Sequence, residues 1–227
     1  MKKFIKRHFP GLVKVIKDKT PNDVIFNDIY RSNSWESDES VSGPGSTLLS
    51  TENLRLKLET FFKNYGISSI VDAPCGDYNW FKEIDYKFEF YRGYDIVKDI
   101  IDNNNKKYAS PNVEFDFSDI TKDILPKADL IFCRDCLVHL SFNKIFKAVT
   151  NFKKSGSKYL LTTSYFDHNE NKDIVTGDWR KLNLLLPPFN FPKERLSISE
   201  ECKGSDTNFL YSKDKCLSLW ELDDLVL

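Results

Sequence analysis

From Ser68 onward the chain switches repeatedly between two hydrophobic rhythms, and this switching limits its fold more than any other feature. "SSIVDA", "EFYRGYDI", "NVEFDFSD", "ADLIFCRDC" and "KYLLTTSYF" are short β-branched or aromatic runs that read as strands. Between them, "NWFKEI" reads as a helical turn and "VKDIIDNNNKKYA" as a helix. "SFNKIFKAVTNFKKSG" puts Phe142, Ile145, Phe146 and Val149 on one helical face, with Ser141 as the expected N-cap and Gly156 as the stop. Strands alternating with helices through short links predict a parallel sheet wrapped on both faces. The ligand of such a sheet lies beyond the carboxyl ends of the strands, where strand order reverses.

The tail has a different pattern. "RLSISEEC" and "KCLSLWEL" read as two strands joined by a polar turn, a hairpin-like pair finishing one sheet edge. "LLLPPFNFP" carries too many prolines for a regular element, and is expected as an ordered apolar loop beside the pocket mouth. Residues 1–60 read as an N-terminal extension or cap ending in the helix "TENLRLKLETFFKNYG", and residues 61–227 as one globular α/β unit.

Composition narrows the class. With 227 residues, 41% hydrophobic and 30% charged, the chain has the make-up of a globular protein with a sizeable core. A net charge of −1 gives no global field for nucleic acid. Charge is concentrated in "MKKFIKRHFPGLVKVIKDK", which has seven Lys or Arg against one Asp and reads as a solvated cap helix or a weak membrane-surface contact. No apolar core follows this basic start, so no signal peptide is expected, and no run is long enough to span a bilayer. The five cysteines, at 75, 133, 136, 202 and 216, suit reduced thiols in a cytoplasm, and Cys133 and Cys136 lack the further ligands a zinc site needs. No metal is expected.

The first strand runs into the turn "IVDAPCGDYNW", Ile70 to Trp80. It has one glycine where a dinucleotide fingerprint wants three, and no Gly-Lys-Ser/Thr follows. Asp77 sits where a phosphate would approach and would repel it. The turn therefore favours a cofactor with cationic groups. Asp72 is either part of that site or a cap for the following turn. Asp95 lies 19 residues after Gly76, and one carboxylate there can accept two hydrogen bonds. Asp116 and Asp119 compete at the end of the third strand, with Asp119 nearer its carboxyl end.

"VDAPCGDYNW" resembles the first motif of class I S-adenosylmethionine-dependent methyltransferases, and "YRGYDI", "FDFSDI" and "ADLIFCRDCLVHLS" resemble the second, third and fourth. The resemblance covers about residues 66–166, with Ala73-Pro74-Cys75 replacing the usual glycine-rich turn. It implies a Rossmann-like fold: a mostly parallel seven-stranded sheet with an antiparallel edge strand. It implies S-adenosylmethionine as cofactor and S-adenosylhomocysteine as product. Asp72, Ala73, Gly76, Asp77, Asp95, Ile96, Asp119, Ile120 and Arg134 would then line the cofactor, Asp95 on the ribose and Asp119 on the adenine amino group.

Trp35 followed by "SGPGST" and "LR", together with "GDWRKLNLLLPPFNFP", is similar to a bacterial and viral subgroup of small methyltransferases often encoded beside surface-polysaccharide genes. That resemblance implies a capsular or surface glycan acceptor, either a sugar hydroxyl or a phosphoramidate group. The Gly43–Thr47 turn reads as a lid or as a linker. Trp35, Ser46, Thr47, Tyr165, Trp179 and Arg180 are the acceptor candidates, with His168 in the same region, and Trp80 reads as packing. Transfer to a hydroxyl needs alignment and a base. His139 is the expected base, with Asp135 either orienting it or serving instead, and Arg134 suits an anionic acceptor. The competing classes are a nucleic-acid methyltransferase, a nicotinamide-dependent sugar reductase and a non-catalytic subunit of the same fold. The first lacks an Asn-Pro-Pro-Tyr/Phe tetrad and a basic stripe, and the second lacks the three glycines. Intact Asp72, Gly76 and Asp95 argue against the third.

Overall fold

Seven strands form one mixed sheet in the computed structural model, which describes residues 20–201 and 214–226. They are β1 (Ser69–Asp72), β2 (Phe90–Asp95), β3 (Val113–Phe117), β4 (Leu130–Cys133), β5 (Tyr159–Tyr165), β6 (Leu196–Ser199) and β7 (Lys215–Glu221). Their spatial order is β3-β2-β1-β4-β5-β7-β6. Strands β1 to β5 pair in parallel, and β7 pairs antiparallel with both β5 and β6. The order reverses between β1 and β4, so Asp72 and Cys133 end the two strands that flank the crevice. The basic start and the turn joining β6 to β7 lie outside the described residues.

Four helices are described: α1 (Asn22–Arg31), α2 (Glu52–Tyr65), α3 (Lys98–Tyr108) and α4 (Phe142–Lys154). The period-two side-chain alternation of the strands divides the core. Ile70, Leu130, Phe132 and Leu161 face the layer holding Leu54, Leu58, Phe61 and Phe62 of α2 and Ile101 of α3. Val71, Ile131, Cys133 and Leu160 face Ile145, Ala148, Val149 and Phe152 of α4. α2 stops at Gly66, which adopts the left-handed conformation with φ 61°.

Three expectations change. Ser141 occupies the N-cap position of α4 but makes no side-chain cap bond. Asp173 instead accepts the Phe142 N–H at 2.8 Å, so the cap comes from a distant loop. The "LLLPPFNFP" loop is ordered and apolar but does not border the pocket. Leu182, Leu184, Phe189 and Phe191 are buried in the α4 layer, and the Phe189 ring sits 5.2 Å from those of both Phe142 and Phe146. The boundary expected after residue 60 falls within α2, whose Phe61 and Phe62 continue the buried face begun by Leu54 and Leu58.

Candidate functional site

The carboxyl ends of β1, β2 and β4 open onto a cavity of about 470 Å³. In its wall Asp95 ends β2, buried, with the Gly76 N–H donating to Oδ2 at 3.1 Å and the Val97 N–H to Oδ1 at 2.9 Å. Burial raises its carboxyl to about 6, partly offset by these backbone donors. With the Ile96 N–H these make three backbone donors, fewer than the four or so acceptor positions an ionised carboxylate offers. Asp72 lies deeper and does not cap the following turn. It accepts the Tyr91 hydroxyl at 2.6 Å, and burial raises it to about 8 against that bond.

Asp119 lies in the cavity wall, whereas Asp116 is exposed away from it. The Asp119 carboxylate is heavily engaged. It accepts the Asn22 amide at 3.1 Å, the Thr121 hydroxyl at 2.7 Å and the Lys122 ammonium at 2.9 Å. These donors outweigh burial and hold it below the usual carboxylate range. Asn22 opens α1, so this cluster fastens the N-terminal helix across the end of β3.

The segment before the sheet is an ordered strap. Asp77 accepts the Ser40 hydroxyl and the Val41 N–H, each at 3.0 Å. The Asn79 amide donates to the Ser46 carbonyl at 3.2 Å and to Glu39 at 2.9 Å. Arg134 donates to the Gly45 carbonyl at 3.0 Å. Ser42, Gly43, Pro44, Gly45 and Ser46 thereby become one wall of the cavity. Gly76 has φ +53°, and a Cβ there would lie 2.0 Å from the Ser42 hydroxyl, so glycine lets the turn and the strap approach without displacing Ser42. Asp77 borders the cavity, but its carboxylate anchors the strap. Thr47 is outside the wall, bonding Ser50 at 2.8 Å and the Pro44 carbonyl at 3.2 Å.

Beyond β4, three buried charges interlock with the half-buried Asp135. Arg134 contacts Glu200 at 2.6 Å, and Lys215 contacts Glu200 at 3.1 Å and Asp135 at 2.6 Å. The Arg134 guanidinium also lies 5.2 Å from the centre of the Trp80 ring, which itself borders the cavity. Burial would raise Asp135, but Lys215 and Arg134 outweigh it and hold the carboxyl at about 2. So low a pKa makes Asp135 a poor proton acceptor at neutral pH. Its Oδ2 is bound by Lys215, and His139 is oriented elsewhere: its Nδ1 lies 3.0 Å from the Asp178 carbonyl. A carbonyl requires Nδ1 to carry the proton, which leaves Nε2 as the basic nitrogen. Burial lowers the imidazole below its ordinary value, partly countered by that bond, so the ring is neutral at pH 7.

No family model matches the sequence, and none of the curated proteins compared matches it. Solved structures do match the architecture. Magnesium protoporphyrin IX methyltransferase from Synechocystis PCC 6803, solved with SAM, superposes with a TM-score of 0.59 at 11% identity, covering 89% of this chain and 97% of that one. The N-methyltransferase NodS from Bradyrhizobium japonicum WM9, solved with S-adenosyl-L-homocysteine, gives 0.58 at 14% identity over 85% and 97%. Human N-acetylserotonin methyltransferase gives 0.57 at 14% identity over 88% of this chain and 59% of its own. The chain has the class I methyltransferase fold.

On this fold the structure brings Asp72, Gly76, Asp77, Asp95, Ile96, Asp119, Ile120, Arg134, Asp135, His139, Trp35, Ser46 and Trp179 around one cavity. Four expected residues stand outside it. Ala73 is core, its N–H bonded to the Phe132 carbonyl at 2.9 Å. Tyr165 is 1% exposed and packs edge-on against Trp179. Arg180 is buried and spends its guanidinium on the carbonyls of Leu137, Val138 and Leu140, at 2.8 to 3.1 Å. Thr47 is the fourth. His168 is likewise absent from the wall. The sequence reading missed Asn22, Phe26, Ile29 and Tyr30, which α1 contributes. An amphipathic helix is visible there, but nothing local says which cavity its apolar side meets. Cys136 also borders the cavity, and no metal-holding cluster occurs among the described residues.

Proposed function

We propose that the protein is an S-adenosylmethionine-dependent O-methyltransferase acting on a small-molecule or carbohydrate hydroxyl, in surface glycan synthesis. The observation carrying this reading is Asp95. It is a buried carboxylate at the end of β2, held by the backbone of the first turn, with acceptor capacity facing a cavity large enough for a nucleoside. The wall chemistry fits the cofactor. Asp77, Asp95, Asp119 and Asp135 border the cavity, with Arg134 as the cation in the same wall, a balance that suits an ammonium and a sulfonium and disfavours a pyrophosphate.

When bound, the cofactor supplies a methyl group on a sulfonium, already a strong electrophile. Asp95 would hold the ribose hydroxyls, and Ile96, Ile120 and Asp119 would surround the adenine. Gly76 and the strap would enclose the methionine portion, with Gly45 fixed by Arg134. His139 is placed to take the acceptor's proton at Nε2, with Nδ1 pinned by Asp178. The cap and the α/β unit work as one, because α1 and the strap wall the same cavity as the strand ends.

Calorimetric titration with S-adenosylmethionine, S-adenosylhomocysteine and NADH tests the reading. The expected result is micromolar binding of the first two and none of NADH. Asp95→Ala should weaken the first two by about ten- to a hundredfold, the cost of hydrogen bonds to a charged group. Normal cofactor binding by Asp95→Ala would remove the ribose assignment.

A further inference from the structure

We infer that the acceptor chamber takes an uncharged ring that offers a flat apolar face and a hydroxyl, and that it rejects phosphate-bearing acceptors. This rests on the methyl-transfer reading of the same cavity. The cavity wall also includes Ile29 and Tyr30 of α1, Trp35, Leu140, Trp179 and His139. The Trp35 and His139 rings lie 5.7 Å apart and tilted by 43°. Trp179 is fixed edge-on by the buried Tyr165 at 6.3 Å. Two indoles in the same wall as a basic nitrogen suit a ring that stacks while its hydroxyl meets the base.

The cations an anion would need are committed elsewhere. Arg134 is tied to Glu200, the Gly45 carbonyl and Asp135. Arg180 lies outside the cavity wall with its guanidinium turned to three carbonyls, and Lys215 is held by Asp135 and Glu200. The other charged side chains in the cavity wall are carboxylates, Asp77, Asp95, Asp119 and Asp135. A phosphate or phosphoramidate entering here would lose its water without gaining a counter-charge, and would face like charge. A neutral ring faces neither cost.

The test uses the full chain, with and without S-adenosylhomocysteine, and follows its indole N–H resonances by NMR. Trp35→Phe and Trp179→Phe assign the two signals. The probes are matched pairs: phenol against phenyl phosphate, and methyl glucoside against glucose 6-phosphate. The neutral member of at least one pair should move both signals with a Kd at least about tenfold below its phosphate partner. Which pair responds separates an aromatic ring from a sugar. A phosphate member binding as tightly as its neutral partner, or no probe moving both signals at ~50 mM, overturns the inference. Failure of S-adenosylhomocysteine to bind would instead overturn the methyl-transfer reading. It is scored before any probe is added, and the unloaded arm still tests the chamber.

Discussion

Arg180 holds the turn that carries His139. Its guanidinium reaches the carbonyls of Leu137, Val138 and Leu140, a three-point clamp that a single ammonium cannot reproduce. Arg180→Lys should therefore lower kcat by about tenfold or more while leaving S-adenosylhomocysteine affinity unchanged. Equal losses in both would mark a general folding defect instead. His139→Ala should spare cofactor affinity and lower kcat by about a hundredfold or more. The wild-type rate should rise with pH through a value below the ordinary histidine pKa and be level by neutrality, because burial favours the neutral ring. Asp95 sets a separate limit. Its ionised form accepts hydroxyls, so cofactor-product affinity should be flat above pH 7 and fall as pH drops through about 6, whereas Asp95→Asn should bind weakly with no such step. These residues also show what sequence can reveal. Asp95 was legible because strand length and spacing fix where a strand ends. Arg180 was misread because its type says what it can bind but not which way it points. Asn22 stayed hidden because its partner, Asp119, lies 97 positions away.

The strap is the element whose order is least obvious from its composition. A Gly-Pro-Gly-Ser turn reads equally as lid or linker. What decides between them lies in another element: Asp77 and Asn79 of the first turn hold Ser40, Val41, Glu39 and Ser46. The acidity of that turn was legible, but half its purpose was not, since Asp77 serves the strap. Asp77→Ala removes the two bonds that the strap donates to this charged acceptor, each contributing about 1.5–3 kcal/mol. Hydrogen exchange should then quicken at Val41 and Leu48, with cofactor product leaving faster and the sheet amides unchanged. Unchanged exchange at Val41 would show that Asn79 and Arg134 suffice to hold the strap.

Across the whole molecule, the alternation after Ser68 was enough to give the sheet, its wrapping helices and the hairpin at one edge. It could not show where the charges of β7 go. "KCLSLWEL" begins with a lysine that looks like a polar strand end, yet Lys215 is 2% exposed and bridges Asp135 and Glu200. Buried ion pairs are costly to break from one side, so Lys215→Met should lower stability by about 3–5 kcal/mol in urea unfolding. A loss below ~1 kcal/mol would mean that Asp135 and Glu200 find water instead. The position of Lys215 in the chain has a consequence in time. The first turn and β2 emerge early in synthesis, but the cation that steadies the end of β4 arrives on β7. A growing chain can thus form the nucleoside half of the cavity before Lys215 joins Arg134 beside Asp135. The charge cluster of Asp135, Glu200 and Lys215 is completed only when β7 pairs with β5 and β6.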